Sequence, residues 1–195
     1  MTIQATKHGA SSSDVNNLQV RYNQNNAGNT ITVNVDRPGG FNFFNSPGVD
    51  FEVTMPGTAE LQLKTNTGSI DVTGVSGQMS LTSNTGSVMA RDGTLGAGSM
   101  LVSNTGSITF NGSINPSGTY HFGTNTGSVN VTLQGNAPFH VDATTDTGSI
   151  TSNFPGVTVQ HPNFTGAEAH SDVGNSPQAT VTLRTNTGSI NLNQG

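Results

Sequence analysis

The sequence contains no cysteine among its 195 residues. That absence removes disulfides, thiolate zinc sites and cysteine nucleophiles together. Positive charge is nearly as scarce, with six Lys and Arg against eleven Asp and Glu and a formal net charge of −5. Lys7, Arg21, Arg37, Lys64, Arg91 and Arg184 are scattered along the chain. Binding to a nucleic-acid backbone or to an anionic membrane surface needs basic clusters, and there are none. No apolar run approaches the roughly 20 residues of a membrane span. The first residues, MTIQATKHGASSSDVNN, lack the apolar core of a signal peptide. Residues 1–15 therefore read as a disordered leader, or as the cut edge of a longer protein whose export signal or anchor was removed.

Hydrophobic residues make up only 31% of the chain and charged residues 9%. Low hydrophobicity with low charge is not the composition of a disordered chain, which is usually highly charged. The polar mass is Asn, Thr, Ser and Gly, a mixture suited to stacked strands and turns.

One hexapeptide recurs six times, at 65–70, 83–88, 103–108, 124–129, 145–150 and 185–190. Its first copy is Thr65-Asn66-Thr67-Gly68-Ser69-Ile70, and Thr-Gly-Ser is present in every copy. The glycines Gly68, Gly86, Gly106, Gly127, Gly148 and Gly188 are spaced by 18, 20, 21, 21 and 40. A period near twenty is the mark of a solenoid, and the final gap of two periods implies a degenerate coil or an insertion. Apolar residues alternate before each copy (Leu61 and Leu63, Tyr120 and Phe122) and after it (Ile70 and Val72, Val129 and Val131). Alternation of period two means strands with one buried face. The buried parity changes across the hexapeptide, so the hexapeptide is a corner, where Gly supplies unusual backbone angles and Ser bonds nearby backbone. No apolar three-and-four spacing extends over ten residues, which argues against helix.

These signals predict an all-β, single-stranded parallel β-helix of about twenty residues per coil and roughly eight coils, of undetermined hand with right-handed favoured. Stacking in chain order aligns Leu63, Leu81, Leu101, Phe122, Ala143 and Leu183, and aligns Ile70, Val88, Ile108, Val129, Ile150 and Ile190, as two inward columns. Residues 16–195 form the solenoid. Within it, 16–60 give irregular first coils and a cap, 61–151 regular coils, 152–180 a degenerate coil with a loop insertion, and 181–195 the last coil. In the N-terminal part Leu18, Val20, Ile31, Val33, Val35, Val49, Phe51 and Val53 read as strand residues. Arg37-Pro38-Gly39-Gly40 reads as a turn, and Phe41, Phe43 and Phe44 cover the end of the core. A strand is expected at 157–159, followed by a surface loop. Because only five residues follow Ile190, the last coil looks thinly capped, and self-association through solenoid edges is expected.

The run Val53-Thr54-Met55-Pro56, the phrase Leu61-Gln62-Leu63-Lys64-Thr65-Asn66-Thr67-Gly68-Ser69-Ile70-Asp71-Val72 and the following Gly74-Val75-Ser76-Gly77 resemble the bacterial putative adhesin family, a domain of unknown function. The head-domain family of putative autotransporter adhesins is a looser match. The resemblance covers about residues 15–195. It implies a single-stranded β-helix of cell-envelope or exported proteins and brings no catalytic residues.

The second position of each hexapeptide faces outward, giving the column Asn66, Asn84, Asn104, Asn125, Asp146 and Asn186. A glycan or Ca²⁺ could bind such a strip, but an Asn ladder of coil-to-coil amide bonds accounts for it better. One Asp is too little charge for a tight Ca²⁺ site. The pairs Thr65 and Thr67, Thr124 and Thr126, and Thr185 and Thr187 share the parity of buried residues, which argues against an ice-binding face and for inward or corner positions. Glycoside hydrolysis needs two carboxylates about 5–10 Å apart. The position after the hexapeptide holds Asp71, Met89, Thr109, Asn130, Thr151 and Asn191, one acid only, and Asp142 and Asp146 read as solvated surface. His161, Glu168, His170 and Asp172 match no standard metal spacing and read as mobile loop residues. Loop 160–177 is a candidate recognition element.

The sequence therefore points to a non-catalytic adhesin or scaffold at the cell envelope or outside the cell. It has no cofactor and no nucleic-acid partner, its partners being protein or glycan ligands and further copies of itself. A polysaccharide-processing β-helix lyase or hydrolase is the alternative, and an intracellular or membrane-linked regulatory module a third reading.

Overall fold

The structure, a computed structural model, describes residues 1–25, 30–36, 47–162 and 164–195. The chain divides into two units, Met1–Pro56 and Gly57–Gly195.

The first unit carries β1 (Thr2–His8), α1 (Ser12–Asn17), β2 (Gln19–Asn25), β3 (Thr30–Asp36) and β4 (Gly48–Thr54). β2, β3 and β4 occupy the apolar runs read from the sequence, but they are not coils. β1 pairs antiparallel with β4, and β2 pairs antiparallel with β3. Only four residues separate β2 from β3 in the chain, whereas a parallel pair needs a crossover of about a dozen residues or more. Residues 1–15, assigned above to a disordered leader, instead hold β1 and the start of α1. The Ser11 side chain caps that helix by accepting from the Asp14 N–H. The turn at 37–40 and the end-covering role of Phe41, Phe43 and Phe44 lie outside the described residues.

The second unit is the solenoid. Its strands are β5 (Leu61–Thr67), β6 (Ile70–Thr73), β7 (Met79–Thr85), β8 (Val88–Leu95), β9 (Ser99–Thr105), β10 (Ile108–Ile114), β11 (Ser117–Thr126), β12 (Val129–Leu133), β13 (Phe139–Thr147), β14 (Ile150–Ser152), β15 (Ala167–Val173), β16 (Gln178–Thr187) and β17 (Ile190–Gln194). Each hexapeptide joins a strand of one sheet to a strand of the other, so six corners give six rungs. The expected eight counted residues 16–60 as coils.

The rungs do not stack in chain order. The seven-stranded sheet runs β15-β13-β16-β11-β9-β7-β5 and the six-stranded sheet β14-β17-β12-β10-β8-β6. The last coil, β16 and β17, lies between the coil of β11 and β12 and the coil of β13 and β14. β16 is parallel to both neighbours, with Leu183 opposite Phe122 on one side and Ala143 on the other. The inward columns are therefore Leu63-Leu81-Leu101-Phe122-Leu183-Ala143 and Ile70-Val88-Ile108-Val129-Ile190-Ile150. Their members from Leu81 and Ile70 onward are buried. Each large aliphatic side chain so removed from water contributes about 1.5–3 kcal/mol. Phe110 and Phe122 meet across the core at 5.5 Å between ring centroids.

The last coil is thus an inner rung with paired edges, not a thinly capped end. The gap of 40 residues is not one degenerate coil. After β14 the chain turns at Pro155-Gly156, buries Phe154 edge-on against Phe139 at 5.1 Å, and returns as β15 antiparallel to β13. β15 places Ala167 and Ala169 on the buried face, covering the end of the core. Residues 157–159 form no strand; Gln160 alone makes an antiparallel bridge, to Glu168. Prolines at 155 and 162 bracket this stretch and limit ladder pairing.

Candidate functional site

The corners explain the hexapeptide residue by residue. Gly68, Gly86, Gly106, Gly127, Gly148 and Gly188 all have φ between +134° and +149°, a region that side chains rarely adopt. They also stack in contact. A Cβ on Gly86 would lie 2.2 Å from the Gly68 carbonyl oxygen, one on Gly188 1.9 Å from that of Gly127, and one on Gly148 1.9 Å from that of Gly188. The first-position hydroxyl satisfies the carbonyl this geometry exposes. Ser83, Ser103, Thr124, Thr185 and Thr145 are buried and donate to the carbonyls of Gly68, Gly86, Gly106, Gly127 and Gly188 at 2.8–3.0 Å. On the terminal rung Thr65 donates instead to its own Thr67 carbonyl. The fifth-position serines form a further line, in which Ser69, Ser87 and Ser107 accept from the next rung's serine N–H.

Asn66, Asn84, Asn104, Asn125, Asn186 and Asp146 all face solvent, in that spatial order. Amide bonds join Asn84 to Asn66 at 3.5 Å and Asn186 to Asn125 at 2.6 Å. The Thr-x-Thr pairs are split. Thr124 and Thr185 are buried and Thr65 half-buried, while Thr67, Thr126 and Thr187 are exposed. Period-two parity fails at the third position because the chain is already turning the corner there.

Beside the Asn column, on the outer face of the seven-stranded sheet, runs a shallow groove of about 690 Å³. It crosses the rungs rather than following one strand. One row along it is Lys64-Thr82-Val102-Gly123-Arg184, in register on five adjacent strands. The five column asparagines line the same groove. Gly123 leaves room that His121 uses, the place of its missing Cβ lying 3.0 Å from His121 Nε2. Burial, and then the nearby Arg184 guanidinium, hold the His121 imidazole below its ordinary pKa. Sequence reasoning missed Lys64, His121 and Arg184 as a group. Only the insertion of the last coil beside β11 brings Arg184 into the row of Lys64 and next to His121.

The chain matches the profile of the family described as Toastrack DUF4097 over residues 10–193. The chain belongs to the Toastrack family. Among solved structures it is similar to a putative cell adhesion protein from Clostridium sporogenes ATCC 15579, at 12% identity and TM-score 0.46, over 99% of this chain and 82% of that one. No curated protein matches it.

Most of the remaining candidates of this Toastrack chain gather at β13 and β15. Glu168, His170 and Asp172, read above as loop residues, stand on β15. His140 lies opposite Asp172, with Nδ1 2.7 Å from Oδ1, and Asp142 lies opposite His170 at 3.2 Å. His161 stays apart, with Nδ1 3.3 Å from the Gly166 carbonyl. Among the described residues no three His, Asp or Glu side chains converge as a metal site. Asp71, the acid after the first hexapeptide, pairs with Arg91 at 2.5 Å on the other sheet. No helix among the described residues is long and apolar enough to cross a membrane.

Proposed function

We propose that this Toastrack domain is a non-catalytic binding and scaffolding module that acts at the cell envelope or outside the cell, presenting a rigid, repetitive face to protein or glycan partners. The observation that carries this reading is the corner itself. Backbone ladders, glycine stacking and a buried hydroxyl on five of the six rungs fix the spacing of the exposed Asn and Thr columns at about 4.8 Å per rung. A face built this way is ordered before a ligand arrives, which lowers the entropic cost of binding. The lining of the groove supports the same reading. Its amides, hydroxyls and two cations are donors and acceptors for recognition, while the paired carboxylates of glycoside hydrolysis do not line it.

Self-association belongs to this proposal through the outermost strands, β5 and β15 of one sheet and β6 and β14 of the other. The C-terminal coil is not among them.

A glycan array and a partner pull-down, run beside a polysaccharide-degradation screen, test the proposal. Retention of specific glycans or proteins without turnover is the expected result. Turnover that disappears in Asp142→Asn or Asp146→Asn would replace the binding module with the enzyme.

A further inference from the structure

We infer that the groove across the seven-stranded sheet binds an extended acidic polysaccharide, held at two points by Lys64 and Arg184. Three observations converge on it. The first is charge. Among the described cations, Arg21 pairs with Asp36 at 2.8 Å and Arg91 with Asp71, while Lys7, in the first unit, reaches only a carbonyl, that of Leu18, at 2.6 Å. Lys64 and Arg184 have no carboxylate partner among the described residues, and both line this groove. In a chain of net charge −5, two uncompensated cations in one depression are a local exception that favours an anionic ligand.

The second observation is direction. The groove crosses the strands, whose backbone groups are already committed to the rung ladders. A peptide adding to a sheet does so along an edge, through backbone bonds, and the interior of this sheet offers it none. What the groove offers is a line of side-chain amides, each both donor and acceptor. Hydroxyl groups, which also donate and accept, are their natural complement, and a polysaccharide presents hydroxyls along its length.

The third is spacing. Lys64 and Arg184 are four rungs apart, about 19 Å at 4.8 Å per rung. One small anion cannot span that distance, whereas a chain with a carboxylate on each sugar unit can meet both. Asp146, next in the column beyond Asn186, would repel an anionic chain running past Arg184 and so sets one end of the site. The inference rests on the reading of the domain as a binding module and narrows the ligand class.

The test uses oligogalacturonates of graded length, a neutral oligoglucan and a poly-glutamate peptide, with binding measured by calorimetry on the whole chain. Oligogalacturonates long enough to span the two cations should bind, the shortest weakly. Lys64→Gln and Arg184→Gln should each weaken binding about threefold and the pair about tenfold, the scale of exposed ion pairs. Arg91→Gln should leave binding unchanged. Raising ionic strength from about 0.01 M to about 0.15 M shortens the screening length from about 30 Å to about 8 Å and should weaken binding further. Melting temperatures within a few degrees of wild type show that the variants fold. The proposal is overturned by equal binding of the neutral oligoglucan, by tighter binding of the peptide, by no binding of any uronate, or by an unaltered double variant. If the double variant still holds its partners from the glycan array, the acidic-polysaccharide assignment fails while the binding module stands.

Discussion

The Thr185 hydroxyl donates to the Gly127 carbonyl at 3.0 Å across 58 positions of sequence, and the Thr145 hydroxyl donates to Gly188 at 2.9 Å. These two bonds place the C-terminal corner between two corners that are consecutive in the chain. The last coil is therefore the link between the four rungs before it and the rung that ends the array.

This position makes the last coil costly to perturb. Leu183 is fully buried with a rung on each side, whereas Leu63, on the terminal rung, is 36% exposed. Leu183→Ala should lose about 2–5 kcal/mol, as in other buried leucine truncations, and Leu63→Ala much less. Urea unfolding of the two variants measures the difference. Equal costs would mean that the C-terminal coil is an end.

The corner glycines should separate in the same way. Gly68→Ala meets no neighbour closer than Thr65 Oγ1 at 3.5 Å, so its cost is that of the backbone angle alone, about 1–3 kcal/mol. Gly188→Ala adds a collision with the Gly127 carbonyl and should cost more. Thermal melts of the two variants rank them.

The buried hydroxyls give a third contrast. Thr185→Val keeps the shape of the side chain and leaves the Gly127 carbonyl without its donor, at a cost of about 1–3 kcal/mol. Thr65→Val removes only a bond within its own half-exposed corner and should change stability little. Chemical denaturation of both variants checks the pair.

His121 sets a pH dependence. Its pKa is lowered in the fold, first by burial and then by Arg184, so the unfolded chain takes up the proton more readily than the native one. Its contribution to stability is full above the unfolded value near 6.5 and is lost as pH falls through the lower folded value. His121→Gln should flatten that part of the stability profile below about pH 6.5. In Arg184→Gln the imidazole pKa should rise, as followed by NMR titration of the ring protons. An unchanged titration would mean that Arg184 exerts no field at His121.

The corners, the inward columns and the outward Asn strip were legible because each rests on spacing within one repeat. The order of the rungs was not. Every corner offers the same glycine carbonyl and the same first-position hydroxyl, so Thr185 fits Gly127 as well as Thr145 would. Local pattern cannot choose between them, and the gap of 40 residues fits either a degenerate coil or a return and insertion. The site suffered from the same ambiguity. Lys64 and Arg184 share a row only because β16 lies beside β11. Of the N-terminal strands, β2, β3 and β4 were visible in their apolar alternation and β1 was not, and the antiparallel pairing of β2 with β3 follows from a short connection that alternation does not report.

A chain without cysteine allows the rung order to be tested by crosslinking. Thr126, Thr147 and Thr187 are exposed, and Thr187 lies in register with both of the others. Adjacent rungs are about 4.8 Å apart, within disulfide reach, while rungs two apart, at about 9.6 Å, exceed the limit of about 7 Å. Under mild oxidation the Thr126→Cys, Thr187→Cys variant should form an intramolecular disulfide, and the Thr126→Cys, Thr147→Cys variant should not. A disulfide in the second variant and none in the first would contradict the inserted coil.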